Sequence, residues 1–287
     1  MEVGDIEGRE GVEGGENDIS IRMALYSHSR VLMTLANLAP FPVWKNTDTS
    51  SFDCMHYDGD TALERCASKL SLRPSQHILD IGSGYSHTGR FFATRYHVKV
   101  TGIELQREVH ELAQAITARN IEPRVVKDVT SVNADFLTLD PQTLGGNEGS
   151  FDHVVSFLCI VHIPQASRQL LLRQAARYLK PNGRLYIEDF FARHQPTAAE
   201  RSQLDGIMAC SYLPDAAEWV HDLEAAGFGE VEFEDVSTEW TRLVVERATN
   251  YKANGECDKD LERFYDTVAG FFTGGNVGGI RVIAVKQ

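Results

Sequence analysis

The stretch His77-Ile78-Leu79-Asp80-Ile81-Gly82-Ser83-Gly84-Tyr85-Ser86 decides the fold of this chain. Its first half is an apolar run with one acid, Asp80, which reads as a strand buried on both faces. Its second half turns on Gly82 and Gly84 into a segment with helical spacing over 87–96. A second apolar run, Val98-Lys99-Val100-Thr101-Gly102-Ile103, then ends in Glu104. This strand–turn–helix–strand unit with a terminal acid is what a nucleotide-like ligand needs. The glycines let backbone approach the ligand, and the acid accepts from ribose hydroxyls. A dinucleotide loop calls for a third glycine at position 87, where this chain has His87.

Outward from that unit, apolar spacing predicts a helix over 60–72 (Leu63, Cys66, Ala67, Leu70) and another over 106–119. The third strand has two candidates, Arg124-Val125-Val126 or the stretch before Asn133-Ala134-Asp135-Phe136. A fourth strand follows at 151–157, a helix at 166–178, and a Lys180-Pro181-Asn182-Gly183 turn into a fifth strand at 183–189. Residues 197–228 read as largely helical, and the last strands as Gly229–Val236 and Gly279–Lys286. Alternating β and α elements predict an α/β fold, a doubly wound, mainly parallel seven-stranded sheet with helices on both faces. The expected organisation is an acidic, disordered tail over 1–17, an N-terminal helical lid over 18–59, and a catalytic domain over 60–287. Cap insertions at about 190–215 and 237–275 would cover the active site.

The net charge of −13, with 43% hydrophobic and 24% charged residues, argues against nucleic acid and anionic membrane as partners, since phosphate binding needs clustered Lys and Arg. No run of apolar residues reaches membrane-spanning length, and the N-terminus lacks the basic start and apolar core of a signal peptide. The five cysteines, Cys54, Cys66, Cys159, Cys210 and Cys257, show no paired spacing; they predict reduced thiols, a cytoplasmic location and no metal site, with Cys159 a buried small hydrophobe.

Asp80, Gly82 and Gly84, with Ser86 in place of a last glycine, resemble the acid-then-glycine loop of class I (Rossmann-like) S-adenosylmethionine-dependent methyltransferases. The segment Phe151–Val155 and the Leu179–Leu185 turn are similar to that class as well. Within it, three stretches look like the phosphoethanolamine and sarcosine/dimethylglycine N-methyltransferases: His162 after strand four, Tyr57 before the first helix, and Tyr212–Trp219 running on to Trp240. The resemblance implies a fold with S-adenosylmethionine as methyl donor, no metal, and a small-molecule acceptor, an amine nitrogen first. It implies donor contacts from Asp80, Gly82, Ser83, Gly84, Glu104, Leu105, Asp135, Phe136 and Phe157. It also implies a general base or orienting group at His162, hydroxyl partners or lid residues at Tyr57 and Tyr26, and acceptor contacts from Tyr212, Trp219 and Trp240. His87 and Arg90 either touch the donor's carboxylate or face solvent. The stretches 209–211 and 271–275 offer no Arg or Lys for a phosphorylated acceptor. Alternatives are O-methylation of a natural product, a nicotinamide-dependent oxidoreductase, and a cofactor-binding protein without turnover, in each case a monomer or homodimer.

Overall fold

The computed structural model describes residues 40–144, 148–253 and 258–287, together with Leu32, Leu35 and Ala36. The acidic tail and Tyr26 lie outside the described residues.

Seven strands form one sheet in the order β3-β2-β1-β4-β5-β7-β6. They are β1 (His77–Ile81), β2 (Lys99–Glu104), β3 (Val129–Asn133), β4 (Phe151–Phe157), β5 (Leu179–Ala192), β6 (Phe228–Asp235) and β7 (Val277–Lys286). β1 to β5 pair in parallel, and β7 lies antiparallel between β5 and β6. The order reverses at β1, so β1 and β4 diverge there and leave a crevice beyond their carboxyl ends. The open, mainly parallel sheet is the one the β/α alternation predicts.

Helices cover both faces. On one lie α2 (Gly59–Leu70) and α3 (His87–Tyr96), whose Leu63, Cys66 and Phe92 pack on Ile78, Val100 and Val155. On the other lie α6 (Gln165–Tyr178) and α8 (Ala216–Ala225), whose Leu171, Leu172, Trp219 and Leu223 are buried against Val154, Ile187 and Val282. Each such apolar side chain, fully removed from water, contributes about 1.5–3 kcal/mol. Beyond the sheet, α4 (Arg107–Ala118) and a short α5 (Pro123–Asp128) join β2 to β3. Of the two candidates for the third strand, the stretch before Asn133 forms it. Val125 and Val126 are helical because Pro123 occupies the first helical turn, where its missing N–H and fixed φ suit a start.

Two further differences concern lengths. The fifth strand begins at Leu179 and runs through the expected turn, with Asn182 at φ 62°. It continues to Ala192 because β7 pairs along it from Arg184 to Ala192. A cap of α7 (Ala198–Met208), α9 (Ser237–Ala253) and α10 (Lys259–Gly274) packs its own core beyond the strand ends, with Trp240, Phe264 and Phe272 against Phe190. Capping boxes start α7 (Thr197 with Glu200) and α8 (Asp215 with Glu218), satisfying backbone N–H groups that a helix start leaves without partners. The helix α1 (Asn46–Asp53) precedes α2.

Candidate active site

A cleft enclosing about 1210 Å³ of atom-free space, counted out to its mouth, lies over the carboxyl ends of β1, β2 and β4. One end is the glycine loop. Gly82 N and Ser83 N each donate to Ile103 O at 3.0 Å, which ties the loop to β2. Gly82 has φ 71°, and a Cβ there would sit 2.3 Å from Cys159 Sγ, so only glycine fits. Gly84, at φ 52°, lines the cleft, and a Cβ there would meet nothing within 4 Å; the backbone is bare where a ligand would lie. Ser86 takes the left-handed conformation too (φ 60°, ψ 27°), which explains why glycine is the usual residue at this turn.

Glu104 lines the cleft and is buried. Its Oε2 accepts from Gly84 N at 2.9 Å and its Oε1 from Gln106 N at 2.8 Å. Burial raises its pKa, against the pull of those N–H groups. Asp80 stands one layer behind, fully buried, its Oδ2 without a hydrogen-bond partner among the described residues. Burial, and then the charge of Glu104, push it up to about 7. Two carboxylates crowd one end of an apolar cleft. An acidic end of this kind favours a cationic ligand, so it suits a sulfonium donor. The orphaned Asp80 Oδ2 and the bare Gly84 backbone fit such a donor.

Leu105, Asp135, Phe136 and Phe157 also line the cleft. Asp135 Oδ1 accepts from Leu137 N at 2.9 Å, which fixes the turn after β3. Ser83, like Asp80, is not in the wall, and its side chain fills the space beside Gly102, 2.5 Å from where a Cβ would be. Cys159, expected to be a buried hydrophobe, instead lines the cleft under Gly82.

His87 and Arg90 neither touch the cleft nor face solvent; both are buried. His87 Nδ1 lies 2.9 Å from Asp53 Oδ1 and Nε2 lies 2.8 Å from Asp60 Oδ1, while Arg90 pairs with Asp53 Oδ2 at 2.5 Å. Desolvation works against the imidazolium, but hydrogen bonds to Asp53 and Asp60 outweigh it and raise the pKa of His87. Burial likewise opposes the Asp53 carboxylate, yet the His87 bond and the Arg90 charge hold its pKa below the usual range. This cluster joins α1 and α2 to α3, so it sets the segment between them. That segment brings Met55 and Tyr57 to the cleft.

The other end of the cleft is formed by Tyr57, His162, Phe190, Met208, Arg247 and Phe264. His162 closes a single 3-10 turn, Ile160–His162, after β4. Its Nδ1 is 3.3 Å from Ala209 O; a carbonyl only accepts, so in the neutral ring Nδ1 carries the proton and Nε2 the lone pair. Asp189, fully buried beyond β5's midpoint, holds that turn: Val161 N donates to its Oδ2 at 3.0 Å and Phe190 N to its Oδ1 at 2.7 Å. Burial pushes Asp189 up to about 7. Leu158, just before the turn, sits at φ 50°, a strained conformation for a bulky side chain. Tyr57 is buried between Phe190 (centroids 6.1 Å) and Trp240 (4.7 Å), and burial pushes its phenol up to about 12, so it acts as a donor and not as a base.

The three expected acceptor contacts lie outside the cleft wall. Trp219 belongs to the core beneath the sheet, donating to Phe190 O at 3.3 Å, because a large apolar ring on α8's inner face gains most by full burial. Tyr212 donates to Glu218 and stacks under Arg168, away from the cleft. Trp240 supports Tyr57 and Phe190 from behind and does not line the wall. Conversely, Arg247 and the Asp53–Asp60 pair were not singled out from the sequence; only the fold brings them near the site. Among the described residues no cluster of side chains could hold a metal ion, and no helix is long and apolar enough to cross a membrane.

Residues 78–183 match a family model described as "Methyltransferase domain". The chain is 32% identical over 186 residues to 27-O-demethylrifamycin SV methyltransferase of Amycolatopsis mediterranei, covering 62% of this chain and 63% of that protein. It is 26% identical to phosphoethanolamine N-methyltransferase 1 of Arabidopsis thaliana, over 71% of this chain and 39% of the relative. The structure of Haemonchus contortus phosphoethanolamine N-methyltransferase 2 in complex with S-adenosyl-L-methionine superposes with a TM-score of 0.75 at 17% identity, covering 96% of this chain and 61% of that one. The match thus spans less than two thirds of the length of each of these three. The chain has the class I methyltransferase fold, and its residues 78–183 match a methyltransferase domain.

Proposed function

We propose that this chain transfers a methyl group from S-adenosylmethionine to a small-molecule acceptor, an amine nitrogen first. The observation that carries the reading is the acidic, backbone-bared end of the cleft. Gly84 exposes its main chain between Glu104 and the Asp135–Phe136 turn, and among the described residues no Lys or Arg pairs with Asp80 or Glu104. When bound, the donor supplies a sulfonium methyl that the acceptor's lone pair attacks in line.

The chain's own residues do the rest. Glu104 would accept from the ribose, Leu105 and Phe136 would enclose the adenine, and Asp135 would take its amino group. Phe157 and Tyr57 exclude water between the two ends. His162, its Nδ1 proton donated to Ala209 O, would receive the acceptor's proton at Nε2. Alignment in a dry site accounts for most of the gain, up to about 7–11 kcal/mol of the barrier. A second reading, transfer to a hydroxyl oxygen, is favoured by the apolar wall of Phe190, Met208 and Phe264 and by the rifamycin relative.

The test is transfer of labelled methyl to a panel of amines, amino acids and phenols, with His162→Ala in parallel and the methylated atom read by NMR. Turnover lost in a variant that still binds S-adenosylhomocysteine supports the reading. A protein whose melting temperature rises with NAD and not with S-adenosylhomocysteine overturns it.

A further inference from the structure

Arg247 is the single Lys or Arg among the described residues lining the cleft. It comes from α9, is half-buried, and has its Cζ 5.1 Å over the Tyr57 ring and 6.0 Å over the Tyr265 ring. No carboxylate of the described residues pairs with it, whereas Arg65, Arg90, Arg168 and Arg281 all pair with acids. A partly desolvated guanidinium that lines a cleft without an acid partner among the described residues is placed to receive one from a ligand. Tyr57 and Tyr265 lie within cation–π range of it. The N–H groups lie in the guanidinium plane, so its edges remain the place for an acceptor oxygen pair.

The chemistry of that ligand follows from charge and wall. One guanidinium balances one negative charge, and Tyr57, Cys54 and His56, on which the Arg247 charge acts, are held neutral at pH 7 by burial. A phosphate dianion would lack a second cation here. Around Arg247 the wall is apolar, with Phe190, Met208 and Phe264. We propose that the methyl acceptor is a carboxylic acid with an apolar or aromatic body, its carboxylate gripped edge-on by Arg247 and its body held by that wall. This rests on the cleft being the methyl-transfer site, and it adds the substrate class.

The experiment is calorimetry on the full chain saturated with S-adenosylhomocysteine. The probes are matched acids and amides: 4-(methylamino)benzoic acid, 3-(4-hydroxyphenyl)propionic acid and decanoic acid against their amides, plus phenyl phosphate. At least one acid is expected to bind about tenfold tighter than its amide, the scale of a charge-assisted bidentate contact. Arg247→Gln is expected to erase that preference and Arg247→Lys to keep part of it, with affinity for S-adenosylhomocysteine unchanged in both. The proposal is overturned if no acid outbinds its amide, if the preference survives Arg247→Gln, or if phenyl phosphate outbinds every acid. It is also overturned if Arg247→Gln weakens S-adenosylhomocysteine but not methylthioadenosine, which would put Arg247 on the donor's carboxylate. Failure of the methyl-transfer reading looks different: S-adenosylhomocysteine then does not bind the wild type at all.

Discussion

Replacing Asp53 by Asn tests how the N-terminal side of the cleft is held. The side chains of Asp53 and Arg90 are fully buried and that of His87 nearly so, and Asp53 is the shared acid between the two cations. Asparagine keeps the shape and one acceptor oxygen but removes the charge. Arg90 would keep its bonds to Tyr85 O (2.6 Å) and Thr117 Oγ1 (3.1 Å), yet it would stay charged with no ion partner. His87 would keep only Asp60, whose side chain is about half exposed. Removing one partner of a buried pair costs about 3–5 kcal/mol, because the remaining charge loses its compensation. Against a total stability of about 5–15 kcal/mol, that is a large share. Equilibrium urea unfolding reads it directly, as a fall in midpoint at constant slope. Since the cluster sets the segment bearing Met55 and Tyr57, affinity for S-adenosylhomocysteine falls in parallel. A loss under about 1 kcal/mol, the scale of an exposed pair, would refute the reasoning.

Three further outcomes follow from the same geometry. Because the folded pKa of His87 is raised, its stabilisation is complete below the ordinary value of 6.5 and fades as pH rises through the raised one. Asp60→Asn removes the charge of one of its two carboxylate partners and shifts that alkaline fade to lower pH in unfolding free energy measured against pH; an unmoved profile would mean His87 is not the group. Gly82→Ala puts a Cβ 2.3 Å from Cys159 Sγ at φ 71°, so donor binding and more than about 1–2 kcal/mol of stability are lost, with partial return in a Cys159→Gly background. An unchanged melting temperature for the single variant would contradict the packing. Asp189→Asn turns one acceptor of the Ile160–His162 turn into a donor facing Val161 N–H. Steady-state kinetics on whatever acceptor the panel yields is expected to show kcat down by about tenfold or more, since small misplacements are costly, with donor affinity kept. An equal loss of donor affinity would show a general collapse instead of a displaced His162.

The half of the molecule around the glycine loop was legible because its signals are local. A buried strand, a turn that needs positive φ and an amphipathic helix each write themselves into adjacent residues, and 77–104 holds all three. Where two local signals conflicted, at Val125 and Val126, Pro123 decided for helix. The acceptor end was less legible. Trp219 and Tyr212 look like ligand groups in a linear reading, yet the inner face of α8 and the Arg168–Asp222 pair absorb them. Arg247 gives no signal in its own neighbourhood, Glu246-Arg247-Ala248, which reads as any solvated helix turn. Its role depends on α9 crossing Tyr57, a contact between residues far apart in sequence. His87 was misplaced for the same reason, since its partners Asp53 and Asp60 lie on other helices.

The position of β7 has a consequence for the order of assembly. β7 is the last strand in sequence, but it sits inside the sheet, with β5 on one side and β6 on the other. Its partners on β5 include Arg184 for Val285 and Ala192 for Val277, pairings that close very long loops, and such contacts form slowly. Until they form, Glu188 waits for the Arg281 guanidinium that neutralises it at 2.9 Å, and β6 has nothing to pair with. A nascent chain can therefore build β1 to β4 and the glycine loop early, while α9, Arg247 and the far wall of the cleft stay unplaced. The glycine-loop end of the cleft rests on pairings close in sequence, and its far wall on pairings that close long loops.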